Sequence, residues 1–290
     1  MTESRRPHIA RSLEAVRSLI AAARADGARI GFVPTMGALH AGHMSLVKQA
    51  RARCRFVVVS IYVNPTQFEQ FDDFEHYPRT FDDDLAQLTG HADLVFAPDD
   101  GTMYPEGFST YVEPPAISRR WEGEHREGHF RGVATIVLKL LLAVQPDEAF
   151  FGEKDFQQLL VVRQMVRDLN VPVVITGCPL VREPDGLALS SRNRRLSPAE
   201  RERALSLYEA LRTAERRVGE GERDAERIVQ AMTDVLQQAP VDQIDYVALV
   251  DPSTLEPVAR IDSPVQALVA AYVGPVRLID NMLLAGPGAR

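Results

Sequence analysis

The stretch IGFVPTMGALHAGHMS, residues 30–45, runs from a short apolar strand through a turn with glycine into the start of a helix. Gly37 and Gly42 allow backbone amides to approach a ligand closely, and unpaired N–H groups at a helix start attract phosphate oxygens. His40 and His43 add imidazole N–H donors at the same place. The stretch therefore predicts a strand, turn and helix with a nucleotide-phosphate site at the turn.

The spacing HxGH differs from the Walker loop and from the GxGxxG dinucleotide fingerprint, and the chain contains neither motif. It resembles the HIGH signature of the nucleotidyl-transferase superfamily, whose histidines stabilise the α-phosphate of ATP during adenylyl transfer. Two other interpretations stay open for these residues alone. One is a metal pair, which would need further ligands although no other Cys or His lies nearby. The other is a structural turn with incidental histidines.

Length, charge and cysteine content limit the classes of protein to consider. At 290 residues the chain exceeds what one hydrophobic core usually organises, which predicts one large and one smaller domain. The formal net charge of -7 argues against a nucleic-acid partner. Cys54 and Cys178 are expected to be reduced, buried thiols. The most apolar run, 133–144, is too short to span a bilayer, and no signal peptide is visible. We expect a cytoplasmic protein without a membrane partner.

Apolar runs alternate with helical patterns through the first two thirds of the chain, which predicts a parallel α/β sheet. The predicted strands of this sheet are 29–33, 56–63, 93–97, 148–151 and 173–181. After Pro198 the pattern changes to two charged amphipathic helices and three short strands. These elements are predicted at 198–218, 222–238, 244–250, 267–273 and 276–279. The α+β tail predicts a separate smaller domain, with domain limits 1–186 and 187–290.

Polar side chains follow two of the predicted strands, at the edge where open α/β sheets bind ligands. Asn64 and Gln67 follow the second strand, and Gln67 is a substrate candidate or an ordinary loop amide. The segment GEKD, 152–155, follows the fourth strand. Its Lys154 can neutralise a phosphate, with Gln158 four residues on along the same helix face. The alternative for this segment is a helix-capping aspartate beside a surface lysine.

Three further segments carry charged or hydroxyl side chains. The Arg- and His-rich segment 119–132 can neutralise a triphosphate or a carboxylate, or can be a solvated loop. The acids that open the helix after Thr80 complement its dipole, or help to hold magnesium. The segment 183–197 resembles the KMSKS-type mobile loop of the same superfamily, or is a linker. The candidates in these segments are Arg126, His129, Asp83, Asp84, Gln87, Ser190, Ser191 and Arg192.

Six blocks of sequence occur in an order that resembles the pantothenate synthetase family, the pantoate–β-alanine ligases. The blocks are PTMGALHAGH, VNPTQF, YPRTFDDD, GHFRGV, FFGEKDFQQL and LALSSRN. The resemblance covers essentially the whole chain. It implies a Rossmann-like parallel-sheet N-terminal domain with a smaller α+β C-terminal lid domain, assembled as a homodimer. The implied reaction joins pantoate to β-alanine through a pantoyl adenylate, with ATP as substrate, magnesium beside it and no tightly bound organic cofactor.

The resemblance also implies roles for single residues. His43 matches the histidine assigned as proton donor, His40 a phosphate contact, and Gln67 and Gln158 the two glutamines that hold pantoate. Lys154 and Arg192 join the histidines as the catalytic candidates. The implied ATP-binding residues are Met36, Gly37, Ala38, Leu39, His40, Ala41, Gly42, His43, Gly152, Glu153, Lys154, Asp155, Val181, Leu189, Ser190, Ser191 and Arg192.

The chain departs from the family pattern at two positions. Glu127 stands where the family commonly has proline, which affects the placement of Arg126, and Leu189 stands where methionine is common.

One competing function is a nucleotidyltransferase that leaves the adenylyl group on a phosphorylated product instead of releasing AMP. The other is a nucleotide-binding regulator that binds ATP without turnover.

Overall fold

The computed structural model describes residues 6–68 and 74–286. The chain divides into two compact units, residues 1–153 with 158–179, and residues 154–157 with 180–290. We predict from the sequence that the boundary between two folding domains lies between residues 186 and 187. This boundary stays a prediction.

The first unit is built on a parallel sheet with strand order β1-β4-β3-β2-β5-β6. Within the described residues its strands are β1 His8–Ala10, β2 Ile30–Thr35, β3 Phe56–Ile61, β4 Leu94–Phe96, β5 Glu148–Gly152 and β6 Val174–Cys178. The strand order reverses direction between β2 and β5. In open α/β sheets, ligands bind outside the carboxyl ends of the strands at such a point.

Side chains that alternate along the central strands divide the core of this unit into two layers. Phe32 and Val58 belong to one buried cluster, and their neighbours Val33 and Val59 belong to another. The first cluster includes side chains of the helices Leu13–Ala25, His129–Val144 and Phe156–Asp168, and the second includes those of Ala41–Arg53 and Phe81–Leu88. Two short helices, Asp100–Met103 and Glu122–His125, also belong to this unit. The predicted α/β class is confirmed.

Several elements differ from the sequence prediction, and three of these differences have a clear physical reason. The sequence does not predict strand β1, because three residues are too few to show a period. Strand β6 ends at Cys178 and not at residue 181, since Pro179 has no N–H to continue the ladder. The long apolar helix begins at His129 and not at residue 133, after Gly128 in the left-handed conformation at φ 72°. His129 therefore lies on a helix and not in a loop.

The second unit packs the helices Pro198–Gly219 and Ala225–Gln238 with an antiparallel sheet. Its strands are β7 Gln243–Val250, β8 Val265–Val273 and β9 Val276–Leu284, in that spatial order. A capping box of Ser197 and Glu200 starts the first of these helices. The second helix starts at residue 225 and not at 222, because the Asp224 side chain accepts the first backbone N–H groups. The predicted α+β tail is confirmed.

The two cysteines agree with the sequence analysis. Cys54 and Cys178 are free and buried, and burial raises the pKa of Cys178 to about 11. Burial also raises the pKa of Cys54, so both thiols stay protonated at neutral pH. In the described part of the chain, no helix combines the length and the apolar character that crossing a bilayer requires.

The Glu148 side chain stabilises the amino end of β5 in the first unit. Its carboxylate, 1% exposed, accepts hydrogen bonds from Arg29 at 3.0 Å and Thr176 at 2.6 Å, and it pairs with Arg53 at 3.1 Å. We expect Glu148→Ala to lower the free energy of unfolding by about 2 kcal/mol, the range for hydrogen bonds to a charged group. Urea denaturation measures this loss, and Glu148→Gln, which keeps the shape, should lose less.

Glu148 lies at the amino end of its strand, whereas the candidate site follows the carboxyl ends. The kcat of folded Glu148→Ala should therefore match that of the unaltered protein. A variant that loses kcat without losing stability would contradict this assignment.

Candidate active site

The turn after β2 is held by a carboxylate from a different part of the chain. Asp84, 1% exposed, accepts hydrogen bonds from the backbone N–H groups of Ala38 at 3.0 Å and Leu39 at 2.8 Å. Thr80 donates its hydroxyl to the same carboxylate, and Gln87 donates its side-chain amide to the Leu39 carbonyl at 3.2 Å. Burial raises the pKa of Asp84, although the hydrogen bonds from Leu39, Ala38 and Thr80 oppose the rise. Asp84 and Gln87 thus act as supports of the turn.

The turn itself needs glycine at its first bend. Gly37 has φ 79°, and a Cβ there would lie 3.0 Å from the nearest Asp84 carboxylate oxygen and 3.1 Å from Ile61. Its N–H donates to the Thr35 hydroxyl at 3.1 Å, and that hydroxyl donates to the Ser60 carbonyl at 2.6 Å. The turn is therefore tied to both β2 and β3.

These contacts correct one expectation from the sequence. The prediction of unpaired backbone N–H groups at this turn is wrong for Gly37, Ala38, Leu39, His40 and Gly42, because each of these groups has an acceptor within the protein. Ligand-binding donors at the turn must therefore come mainly from side chains.

His40 and His43 cap the helix Ala41–Arg53 reciprocally, which fixes their proton positions. The Gly42 N–H donates to His40 Nδ1 at 3.2 Å, and the His40 N–H donates to His43 Nδ1 at 3.4 Å. A ring nitrogen that accepts a hydrogen bond carries no proton, so each neutral imidazole carries its proton on Nε2. The ring centroids lie 4.1 Å apart. Two Nε2–H donors therefore stand side by side at the carboxyl edge of the sheet.

The predicted magnesium ligands do not form a ready site. Asp84 and Gln87 support the turn, and Asp83 is exposed on the same helix. Within residues 6–68 and 74–286, no three His, Cys, Asp or Glu side chains are grouped to hold a metal ion. Asp84 therefore supports the turn rather than its own helix start, and its two carboxylate oxygens are occupied by the turn's N–H groups.

Asn64 and Gln67 form a buried amide pair after β3. Asn64, 1% exposed, donates from Nδ2 to the Gly132 carbonyl at 3.3 Å and to Gln67 Oε1 at 3.2 Å. Its Oδ1 accepts from Tyr104 at 2.6 Å and from Thr66 at 3.1 Å. Gln67 Nε2 donates to Met36 Sδ at 2.8 Å, so the amide pair reaches the histidine turn.

The start of the helix His129–Val144 packs against the same short turn, Pro65–Gln67. A Cβ on Gly132 would lie 2.2 Å from the Thr66 carbonyl oxygen, so only glycine permits this approach. The buried His129 ring places Nδ1 2.8 Å from the Gln67 carbonyl, and Arg126 lies 3.1 Å from its Nε2. Arg126 also pairs with Glu122 at 3.5 Å. Arg126 and His129 therefore support Gln67 through its backbone.

The remaining candidates before β6 follow β5. Gly152 ends that strand, Glu153–Asp155 form a single 3-10 turn, and Gln158 lies in the first turn of the helix Phe156–Asp168. Gly152, Glu153 and Gln158 belong to the first unit, whereas Lys154 and Asp155 belong to the second.

The second unit brings together the candidates from Val181 to Arg192. The Leu189 N–H donates to the Val181 carbonyl at 3.0 Å, and the segment between them reverses at Gly186, φ 101°. Ser190 then caps a 3-10 helix, Ser191–Arg195, by accepting the Arg192 N–H at 3.3 Å. A turn at Asp185 and Gly186 therefore precedes the segment from Ser190 to Arg192.

Lys154 is tied to the same unit through its backbone. Its carbonyl accepts from Asn281 Nδ2 at 2.8 Å, and Asn281 Oδ1 accepts from Gln266 at 2.7 Å. Asp280 beside it forms a bidentate pair with Arg182, at 2.6 and 3.0 Å. Burial raises the pKa of Asp280 although Arg182 opposes the rise. The lysine side chain pairs with Asp155 at 3.5 Å.

Sequence reasoning missed several supporting residues of the site. Tyr104, Thr66 and Gly132 organise the amide pair, and Asn281 holds the backbone of Lys154. Gly132 stands in the GHFRGV block, which was a usable signal. Tyr104 and Asn281 carry no local signal, because each contact joins residues at least 40 positions apart.

Comparisons with known proteins agree on one family. Residues 8–283 match the model of the pantoate-β-alanine ligase family. The pantothenate synthetase of Thermotoga petrophila is 55% identical over 88% of this chain and 91% of its own length.

Two solved structures are similar along nearly the whole chain. The pantothenate synthetase of Thermus thermophilus has a TM-score of 0.90 at 45% identity, covering 95% of this chain and 98% of that one. The pantoate-β-alanine ligase of Francisella tularensis, complexed with β-γ ATP and β-alanine, has a TM-score of 0.80 at 35% identity. The alignment covers 96% of this chain and 97% of that one.

Proposed function

Because this chain belongs to the pantoate–β-alanine ligase family, we propose that the site after β2 and β3 carries out the ATP-dependent condensation of pantoate with β-alanine. The enzyme forms a pantoyl adenylate as intermediate and releases AMP and pyrophosphate. The observation that carries the assignment of the site is the histidine pair. The pair follows Met36, which accepts the Gln67 side-chain amide, in the same turn.

In the first step a carboxylate oxygen of pantoate attacks the α-phosphorus of ATP. The new P–O bond forms as the bond from phosphorus to the bridging oxygen of pyrophosphate breaks. The carboxylate is already ionised at neutral pH, so the step needs no strong base. It needs positioning and donors for the charge that develops at phosphorus. We assign His40 and His43 to the α-phosphate, because their Nε2 protons are fixed by the cap.

In the second step the amine of β-alanine attacks the carbonyl carbon of the adenylate. The C–N bond forms, the C–O bond to phosphate breaks, and AMP leaves with that oxygen while the nitrogen loses a proton. Gln67 and Gln158 are proposed to hold the pantoyl group through both steps. Fixed hydrogen bonds to its oxygens keep the reacting atoms aligned.

Lys154 and Arg192 are proposed to neutralise the phosphates of ATP, with Leu189, Ser190 and Ser191 in the same loop. We expect Lys154→Ala to raise the KM for ATP about tenfold, the effect of losing one hydrogen bond to a charged group. Lys154→Arg keeps the charge and should recover much of that loss. Steady-state kinetics with varied ATP measure both variants, and an unchanged KM for ATP in Lys154→Ala would refute the assignment.

Magnesium enters with ATP, which it binds through phosphate oxygens; adding EDTA should then stop AMP formation, and excess magnesium should restore it.

The enzyme works as a homodimer, so light scattering should give twice the chain mass of 32.2 kDa. It resides in the cytoplasm, consistent with its cysteines being free and buried.

A product assay tests the proposed function directly. The enzyme should form AMP and pyrophosphate only when pantoate and ATP are both present, and β-alanine should be needed for sustained turnover. An adenylyl group that stays on the final product would indicate the competing nucleotidyltransferase. ATP binding without either product would indicate a regulator.

A further inference from the structure

The orientation of the Gln67 side-chain amide is set by groups that the reaction itself does not use. The determining contact is from Asn64 Nδ2 to the Gly132 carbonyl, 3.3 Å. A backbone carbonyl only accepts hydrogen bonds, so the Asn64 nitrogen must face it. The Asn64 oxygen then has to face the opposite side, where two hydroxyls lie.

Tyr104 completes that orientation. Its hydroxyl donates to Asn64 Oδ1 at 2.6 Å, and Thr66 donates to the same oxygen at 3.1 Å. Burial raises the pKa of Tyr104, so its hydroxyl keeps the proton that it donates. The Tyr104 ring packs edge-on against Phe108, with the two ring centroids 5.0 Å apart. The Lys139 ammonium lies 5.8 Å from the centroid of the Tyr104 ring.

Asn64, once oriented, fixes the orientation of the Gln67 side-chain amide. Asn64 Nδ2 also donates to Gln67 Oε1 at 3.2 Å, which occupies the glutamine oxygen and turns Nε2 the other way. Nε2 donates to Met36 Sδ, which is a weak acceptor. A substrate oxygen in its place would accept a stronger hydrogen bond from the same N–H group. The polarity of the Gln67 amide thus follows from Gly132, Asn64 and Tyr104 in turn.

We propose that Tyr104 is a positioning residue for the hydroxy acid: through Asn64 it makes Gln67 present an N–H donor to a carboxylate or hydroxyl oxygen of the substrate. The proposal rests on the proposed function, in which Gln67 binds pantoate. It also explains why the hydroxyl of a half-buried tyrosine 37 positions after Gln67 is bonded to Asn64.

The test is Tyr104→Phe, which removes only the hydroxyl and keeps the ring contacts. We expect the KM for pantoate to rise about tenfold, the size of one hydrogen bond, while the KM for ATP changes less than about twofold. Tyr62→Phe is the matched control. Tyr62 is buried, and its hydroxyl donates to Asp100 at 2.8 Å and not to Asn64. It should leave the KM for pantoate unchanged.

A double-mutant cycle separates positioning from general stability. In a Gln67→Ala background, adding Tyr104→Phe should change the KM for pantoate less than about twofold, because the amide that it orients is gone. Thr66 still donates to Asn64 in both backgrounds, so the orientation of Asn64 is not lost altogether.

Three results would overturn the inference: an unchanged KM for pantoate in Tyr104→Phe, an equal rise in the KM for ATP, or the same tenfold effect with and without Gln67. Each of these can arise in an enzyme that still makes pantothenate. Failure of the proposed function has a different signature, since the unaltered enzyme would then release no AMP from ATP and pantoate.

Discussion

The His43→Ala enzyme is expected to lose about 100- to 1,000-fold in kcat, the usual effect of removing one donor from a developing oxyanion. The KM for ATP should change less than about threefold, because the donor acts mainly in the transition state. Rapid-quench measurement of adenylate formation, with ATP binding measured separately, gives both numbers.

A control is needed because His43 also accepts the His40 N–H at 3.4 Å as part of the helix cap. Glutamine at this position of a capping box keeps such an acceptor. His43→Gln should therefore retain the stability of the unaltered enzyme, whereas His43→Ala should lose about 1 kcal/mol of it. Both variants should lose kcat, and His43→Gln should lose less, because its amide nitrogen still offers an N–H donor. Wild-type kcat in His43→Gln, or equal losses of kcat and of ATP affinity in His43→Ala, would contradict the assigned role.

Gly132→Ala is expected to lower the free energy of unfolding by about 3 kcal/mol, at the upper end for overpacking. The added Cβ would lie 2.2 Å from the Thr66 carbonyl oxygen and 2.8 Å from the Gln67 Cα. Both neighbours are backbone atoms, so the helix or the turn must move. In the protein that still folds, the KM for pantoate should rise more than about tenfold.

Gly128→Ala is the matched control at the start of the same helix. Gly128 has φ 72°, but a Cβ added there would meet no atom of the described residues within 4 Å, so alanine brings backbone strain without a clash. We expect a loss of about 1 kcal/mol and an unchanged KM for pantoate. Thermal unfolding and steady-state kinetics measure both variants. Similar losses for the two alanines would show that close approach at Gly132 is unimportant.

The parallel sheet and the family could be predicted because both depend on local patterns. Apolar runs such as 56–63 mark strands directly, and six blocks in order identify the ligase family. The helix start at His129 was harder to predict, since it depends on a left-handed Gly128. Strand β1 is too short to show a pattern.

The supporting contacts of the site could not be predicted, because they join distant parts of the chain. The sequence suggests a dipole or metal role for Asp84, yet its carboxylate binds backbone N–H groups 45 and 46 positions earlier. The sequence pattern likewise suggests free amides at the glycine turn, whereas these amides are satisfied internally. The roles of the ligand-binding side chains stay predictions.

Transfer of oxygen from pantoate tests the account most directly. With both carboxylate oxygens of pantoate labelled as ¹⁸O, attack on the α-phosphorus followed by amide formation should leave one labelled oxygen in AMP and one in pantothenate. Pyrophosphate should stay unlabelled. Mass spectrometry of the products after one turnover reads this out. Unlabelled AMP, or label in inorganic phosphate with release of ADP, would contradict reaction through a pantoyl adenylate.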